Sequence, residues 1–147
     1  MSGKQILWED ITEGSEIPTA YSLAITPTLI VEQVDGTQDY NLVHHDVDHA
    51  RSTGVPTIFL NTGFISAMFC RLITDWVGDD GWLQRLYFEM RRMAHLGDIV
   101  SAKGKITKKY IEGNNHCVDC DVWIENQKGE ITTPGKTTVI LPTKSGH

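Results

Sequence analysis

Three features of the 147-residue chain predict an α+β fold in which an antiparallel sheet wraps around one long central helix. The stretch "IFLNTGFISAMFCRLITDWVG", residues 58–78, is the most apolar in the chain and too long for one strand. After it the hydrophobic period switches from helical to alternating, over four successive segments. Short runs of turn residues separate those segments. Alternating strands need something apolar on one face, and a helix apolar on nearly every side needs covering.

The elements follow in order. After an amino-terminal arm, "AYSLAI" reads as a short strand ending at Pro27. "TPTLIVEQVDG" is a helix: Thr26 or Thr28 can cap it, Pro27 suits its first turn, and Leu29, Ile30, Gln33 and Val34 keep helical spacing. Gly36 is its expected stop. "DVDHARSTG" gives one or two helical turns, with Asp46 as N-cap and Gly54 as terminator. Asn61 or Thr62 can cap the long helix, which should run to about Trp76.

Four strands should follow. "WLQRLYFEM" puts Leu86, Phe88 and Met90 on one face, and "GDIVSAKGKITKKY" sets Val100, Ala102 and Ile106 against Ser101, Lys103 and Lys105. "HCVDCDVWIENQ" alternates Val118, Cys120, Val122 and Ile124 with Cys117, Asp119, Asp121 and Trp123. "NQKG" turns the chain into "KTTVILP", where Val139 and Leu141 share a face until Pro142 ends the strand. Repeats, linkers and low-complexity tracts are absent, so residues 1–147 read as a single domain.

Composition narrows the function. Hydrophobic residues at 40% and charged residues at 22% are ordinary for a globular chain. A formal charge of −6 argues against a nucleic-acid binder, because phosphate needs a basic face. Within residues 85–109, however, Arg85, Arg91, Arg92, Lys103, Lys105, Lys108 and Lys109 face only Glu89 and Asp98. Such a patch suits either a small anionic ligand or a solvated strand face. Runs of membrane-spanning length are absent, "MSGKQILWED" lacks the apolar core of a secretory signal, and three cysteines fit a reducing compartment. The expectation is a cytoplasmic protein. Cys117 and Cys120 resemble a C-x-x-C, but three residues apart on a strand they point to opposite faces.

The chemistry concentrates in "DYNLVHHDVDHA", residues 39–50, which holds three histidines. His45 and His49 are four apart, a spacing that metal-binding helices use, although a zinc site would still need a third ligand. The flanking acids equally suit a plain helix start. The third reading joins Asp39 to His44 across a turn. An imidazole can take a proton from water while a neighbouring carboxylate orients it, which is the equipment for adding water to a polarised double bond. Asn41 would shape the loop between them through side-chain to backbone hydrogen bonds.

This stretch resembles the hydratase motif of the MaoC-like, (R)-specific enoyl-CoA hydratases, which reads G-D-x-N-P-[LIV]-H, then five residues and Ala or Ser. Asp39, Asn41, His44 and Ala50 fall in register, while Gln38 replaces the Gly and Leu42 the Pro. "LWEDITEGSEIP", "MAHLGDIVSAKGKIT" and "PGKTTVILP" extend the resemblance over residues 7–142. It implies the hotdog fold, paired with a copy of itself or with a second hotdog subunit. "VHHD", "IFLN" and "TDW" are most similar to the small subunits of bacterial steroid side-chain enoyl-CoA hydratases.

The resemblance implies an acyl-CoA substrate, bulky and steroid-derived by the closer similarity, with CoA entering as part of the substrate and neither metal nor other cofactor. It makes Asp39 and His44 the catalytic pair and puts Asn41, Asn61, Thr62 and Gly63 on the substrate side. A backbone N–H at the start of the central helix, of Asn61 or Thr62, would hold the thioester oxygen. A small polar residue that some relatives carry further along that helix corresponds to Phe69. Trp76, Trp82, Met68 and Phe69 suit either an acyl pocket or the core. A hotdog thioesterase and a non-catalytic acyl-CoA-binding subunit are the alternative functions.

Overall fold

The structure, a computed structural model, describes residues 5–145. The first four residues of the amino-terminal stretch and the last two of the 1–147 assignment lie outside the described residues. Its elements are β1 (Tyr21–Ala24), α1 (Pro27–Thr37), α2 (Val47–Ser52), α3 (Thr62–Val77), β2 (Trp82–Phe88), β3 (Ile99–Glu112), β4 (Asn115–Asn126) and β5 (Ile131–Ile140). The strands form one antiparallel five-stranded sheet in the order β1-β3-β4-β5-β2.

Alternation builds the inner face. Val100, Ala102 and Ile106 of β3 and Val118, Cys120, Val122 and Ile124 of β4 are all buried, with Val139 and Leu141 beside them. Helix α3 lays Ile65, Met68, Phe69, Leu72, Ile73, Trp76 and Val77 onto that face. Each large apolar side chain so buried contributes roughly 1.5–3 kcal/mol. Tyr21 and Thr19 fasten the edge of the sheet to the helix: the Tyr21 hydroxyl donates to the Met68 carbonyl at 2.9 Å, and the Thr19 hydroxyl to that of Leu72 at 2.6 Å. Burial pushes the Tyr21 phenol up to about 12.

Two expectations need correction. Helix α3 is not wrapped on nearly every side, because Gly63, Ala67, Arg71, Thr74 and Asp75 form an exposed stripe. Only Arg71, Thr74 and Asp75 of these are polar, and the small Gly63 and Ala67 complete the stripe. Strand β5 begins at Ile131, before the stretch predicted, and carries Pro134 inside it. Proline is tolerated there because its carbonyl does the bonding, accepting the Glu89 N–H at 3.0 Å. Five residues of the basic patch have partners within the chain. Arg91 pairs with Glu89, Arg92 with Glu130 and Lys103 with Glu125, while Lys108 and Lys109 lie over the Tyr110 and Trp8 rings.

The two strand cysteines diverge as their spacing requires. Cys120 joins the core under α3, whereas Cys117 is buried outside that cluster. Burial raises both thiols, Cys120 to about 12. A thiolate reacts with a disulfide reagent far faster than a thiol does. Folded protein should therefore expose only the half-buried Cys70 to fast modification by an aromatic disulfide, with Cys117 and Cys120 reacting on unfolding. Three equally fast thiols in the native state would contradict this packing.

Candidate active site

Helix α1 runs through Gly36, ends at Thr37, and is closed by Gln38 at φ 55°, ψ 26°. That is the left-handed conformation, in the motif position where glycine is usual. A side chain there costs about 1–2 kcal/mol. Gln38 offsets part of this with its own amide: Nε2 donates to the Asp35 carbonyl, and Oε1 accepts from the Tyr40 hydroxyl at 3.1 Å. Gln38→Gly should raise the unfolding free energy by about 1 kcal/mol. Urea titration would read this as a higher midpoint at unchanged slope. A lower midpoint would mean the side-chain bonds outweigh the strain.

The left-handed residue throws the chain into a tight loop. The Asp39 carboxylate accepts the Asn41 N–H at 3.3 Å, and the Asn41 side-chain oxygen accepts the Val43 N–H at 3.3 Å. Asn41 thereby caps a 3-10 turn, Leu42–His44. Leu42 stands first in that turn, where an N–H needs no helical partner, so leucine serves where the motif has proline. Asp46 then caps α2 by accepting the His49 N–H at 2.9 Å, as its spacing predicts.

The turn brings Asp39 and His44 together. His44 Nε2 lies 3.3 Å from Asp39 Oδ2, and Nδ1 lies 3.0 Å from the Phe59 carbonyl oxygen. A carbonyl can only accept, so Nδ1 carries a proton, and Nε2, the atom that takes up a proton when the ring is neutral, faces the carboxylate. The ring packs edge-on against Phe59 at 4.9 Å, which fixes its plane. His44 is 7% exposed, while the Asp39 side chain is 42% exposed and open to an incoming molecule. The two atoms stand too close for a water to fit between them, so a water bonded to both would sit beside the pair.

The start of α3 supplies donors. Asn61 caps it by accepting the Phe64 N–H at 2.8 Å, and its Nδ2 donates to Thr37 Oγ1 at 2.7 Å. Its own N–H donates to Gln33 Oε1 at 2.8 Å. The expectation that the Asn61 amide is an oxyanion donor is thus corrected: the group is already bonded. The exposed N–H groups of Thr62 and Gly63, the first two helical residues, make no protein hydrogen bond. Gly63 fits closely, since a β-carbon there would stand 3.0 Å from Thr37 Cγ2.

Other candidates separate. The side-chain oxygens of Asn41 and Asn61 are both engaged in caps. Met68, Phe69 and Trp76 are core, Phe69 against Phe88 at 5.4 Å, and Trp82 is exposed on the edge strand β2. Among the described residues, groups of three or more His, Cys, Asp or Glu placed to hold a metal ion are absent.

No family model matches the sequence. The protein superposes on the MaoC-like dehydratase of Rhodospirillum rubrum with TM-score 0.78 at 16% identity, over 92% of this chain and 96% of that one. The chain has the hotdog fold. The chain is also similar to the Mycobacterium tuberculosis ChsH1-ChsH2 complex, with TM-score 0.79 and 25% identity over 88% of this chain and 98% of the matched one. A curated relative, the 3-oxo-4,17-pregnadiene-20-carboxyl-CoA hydratase beta subunit of M. tuberculosis, is 31% identical over 81 residues. That match spans 55% of this chain and 63% of the relative.

Gln33 is the residue that sequence reasoning passed over. It appeared only as a member of the α1 face, yet it is 1% exposed and bonds the backbone on both sides of Leu60. A glutamine inside an apolar helical stripe is the signal that could have flagged it, since a buried amide must find partners.

Proposed function

We propose that the protein adds water across the double bond of a 2-enoyl-CoA thioester, and runs the same reaction in reverse. The observation that carries this is His44 Nε2 facing the Asp39 carboxylate at 3.3 Å, with its tautomer set by the Phe59 carbonyl. A water bound beside the pair, within hydrogen-bond reach of both, gives a proton to His44 as its oxygen bonds to the β-carbon. The displaced π electrons move toward the thioester oxygen, which accepts hydrogen bonds from the Thr62 and Gly63 amides. A proton then reaches the α-carbon, and the thioester C–S bond stays intact. The amides sit at a helix N-terminus, where developing negative charge is favoured.

The substrate we propose is a bulky, steroid-derived enoyl-CoA, in keeping with the named activity of the curated relative. The partner is a second hotdog subunit. Strand β2 pairs only with β5, and Trp82 and Tyr87 stand more than half exposed along it, so an added strand would satisfy its open edge.

A coupled hydration assay tests the proposal on short-chain and steroid-type 2-enoyl-CoAs, with the chain alone and with a large hotdog subunit. Hydration should appear, and should be faster on the steroid-type substrate. Inertness toward every enoyl-CoA in both arms would overturn the reading. Static light scattering checks the assembly: a persistent monomer in the presence of that subunit would remove the β2 pairing.

A further inference from the structure

We infer that Gln33 is a positioning residue that locks the His44 tautomer and the start of α3 into one unit; its kinetic role rests on the hydratase reading. Its side-chain amide bonds residues 59–61 as a neighbouring strand would. Nε2 donates to the Phe59 carbonyl at 3.1 Å, and Oε1 accepts the Asn61 N–H at 2.8 Å. That carbonyl is the oxygen on which His44 Nδ1 rests at 3.0 Å. One buried amide therefore holds both the acceptor that orients the base and the residue that caps the donor helix.

The contact has two consequences. With the Asn61 N–H occupied, the open amides at the helix start begin at Thr62, so Gln33 selects the donors. Thr37, one turn further along α1, repeats the grip: its hydroxyl donates to the Gln33 carbonyl at 2.6 Å and accepts from Asn61 Nδ2 at 2.7 Å. Asp39 follows two residues later. The last two turns of α1 thus fix the acid loop, the base and the helix start against one another. An amide between apolar Ile30 and Val34, both buried, gains nothing from solvent there. Its burial is explained by these two bonds.

The test uses Gln33→Met, which keeps the length without donor or acceptor, and Gln33→Glu, which keeps an acceptor for Asn61 but loses the donor to Phe59. Circular dichroism establishes which variants are folded, and the folded ones are read. Nitrogen-15 NMR of the imidazoles should show His44 as the Nδ1–H tautomer in the unmodified protein and as a mixture in either variant. In the hydration assay kcat should fall about 10- to 100-fold, with KM changed less than threefold. An unaltered His44 signal, or a kcat loss matched by the unfolded fraction, would overturn the assignment. The NMR result stands without turnover, so an inert parent protein would count against the hydratase reading and leave the Gln33 assignment to be judged on the spectra.

Discussion

His44→Ala should lower the turnover of a 2-enoyl-CoA by about 10²- to 10⁴-fold, the usual contribution of a placed general base. The fold should survive, because the Phe59 carbonyl that loses the imidazole keeps its bond from Gln33 Nε2. Asp39→Asn is the companion. An asparagine oxygen can still accept the Asn41 N–H and hold the loop, so the variant removes the charge facing Nε2 while sparing the turn. A loss of similar size in Asp39→Asn, at wild-type stability, would place both groups on the reacting water. Retention of more than a tenth of the activity by either variant would remove that residue from the chemistry.

Phe69→Ala should cost about 3–5 kcal/mol of stability, the range for emptying a buried aromatic site. Phe69 is fully buried in the middle of α3, with its ring 5.4 Å from that of Phe88 on β2. Helix and sheet edge meet through that pair, and a rigid backbone on either side leaves the cavity little room to collapse. A domain of this size is stable by only about 5–15 kcal/mol, so the variant should be partly unfolded at physiological temperature. Thermal and urea unfolding measure it directly. A cost below about 1 kcal/mol, together with a changed acyl-chain preference, would instead return Phe69 to the substrate pocket.

The fold was legible because one long apolar segment precedes four alternating ones, and that order leaves few packings. What escaped was whatever depends on partners distant in sequence. The open stripe of α3 is set by where the sheet ends, and no local pattern marks that edge. Gly36 looked like a stop because glycine weakens a helix, yet its cost of 0.5–1 kcal/mol is easily outweighed by the bonds that Thr37 makes. The Asp39 and His44 spacing pointed to a shared turn, but their 3.3 Å separation follows from the left-handed Gln38 and the Asn41 cap. Gln33 acts on Phe59 and Asn61, 26 and 28 residues away, which periodicity cannot register.

Mass spectrometry of products formed in ¹⁸O-water tests the central claim most directly, with the chain and a second hotdog subunit incubated with a 2-enoyl-CoA. Hydration across the double bond predicts an intact 3-hydroxyacyl-CoA carrying one ¹⁸O on the β-hydroxyl, and no released thiol. A free acid with ¹⁸O in its carboxylate, alongside free CoA, would show that the water goes to the carbonyl and would contradict the account.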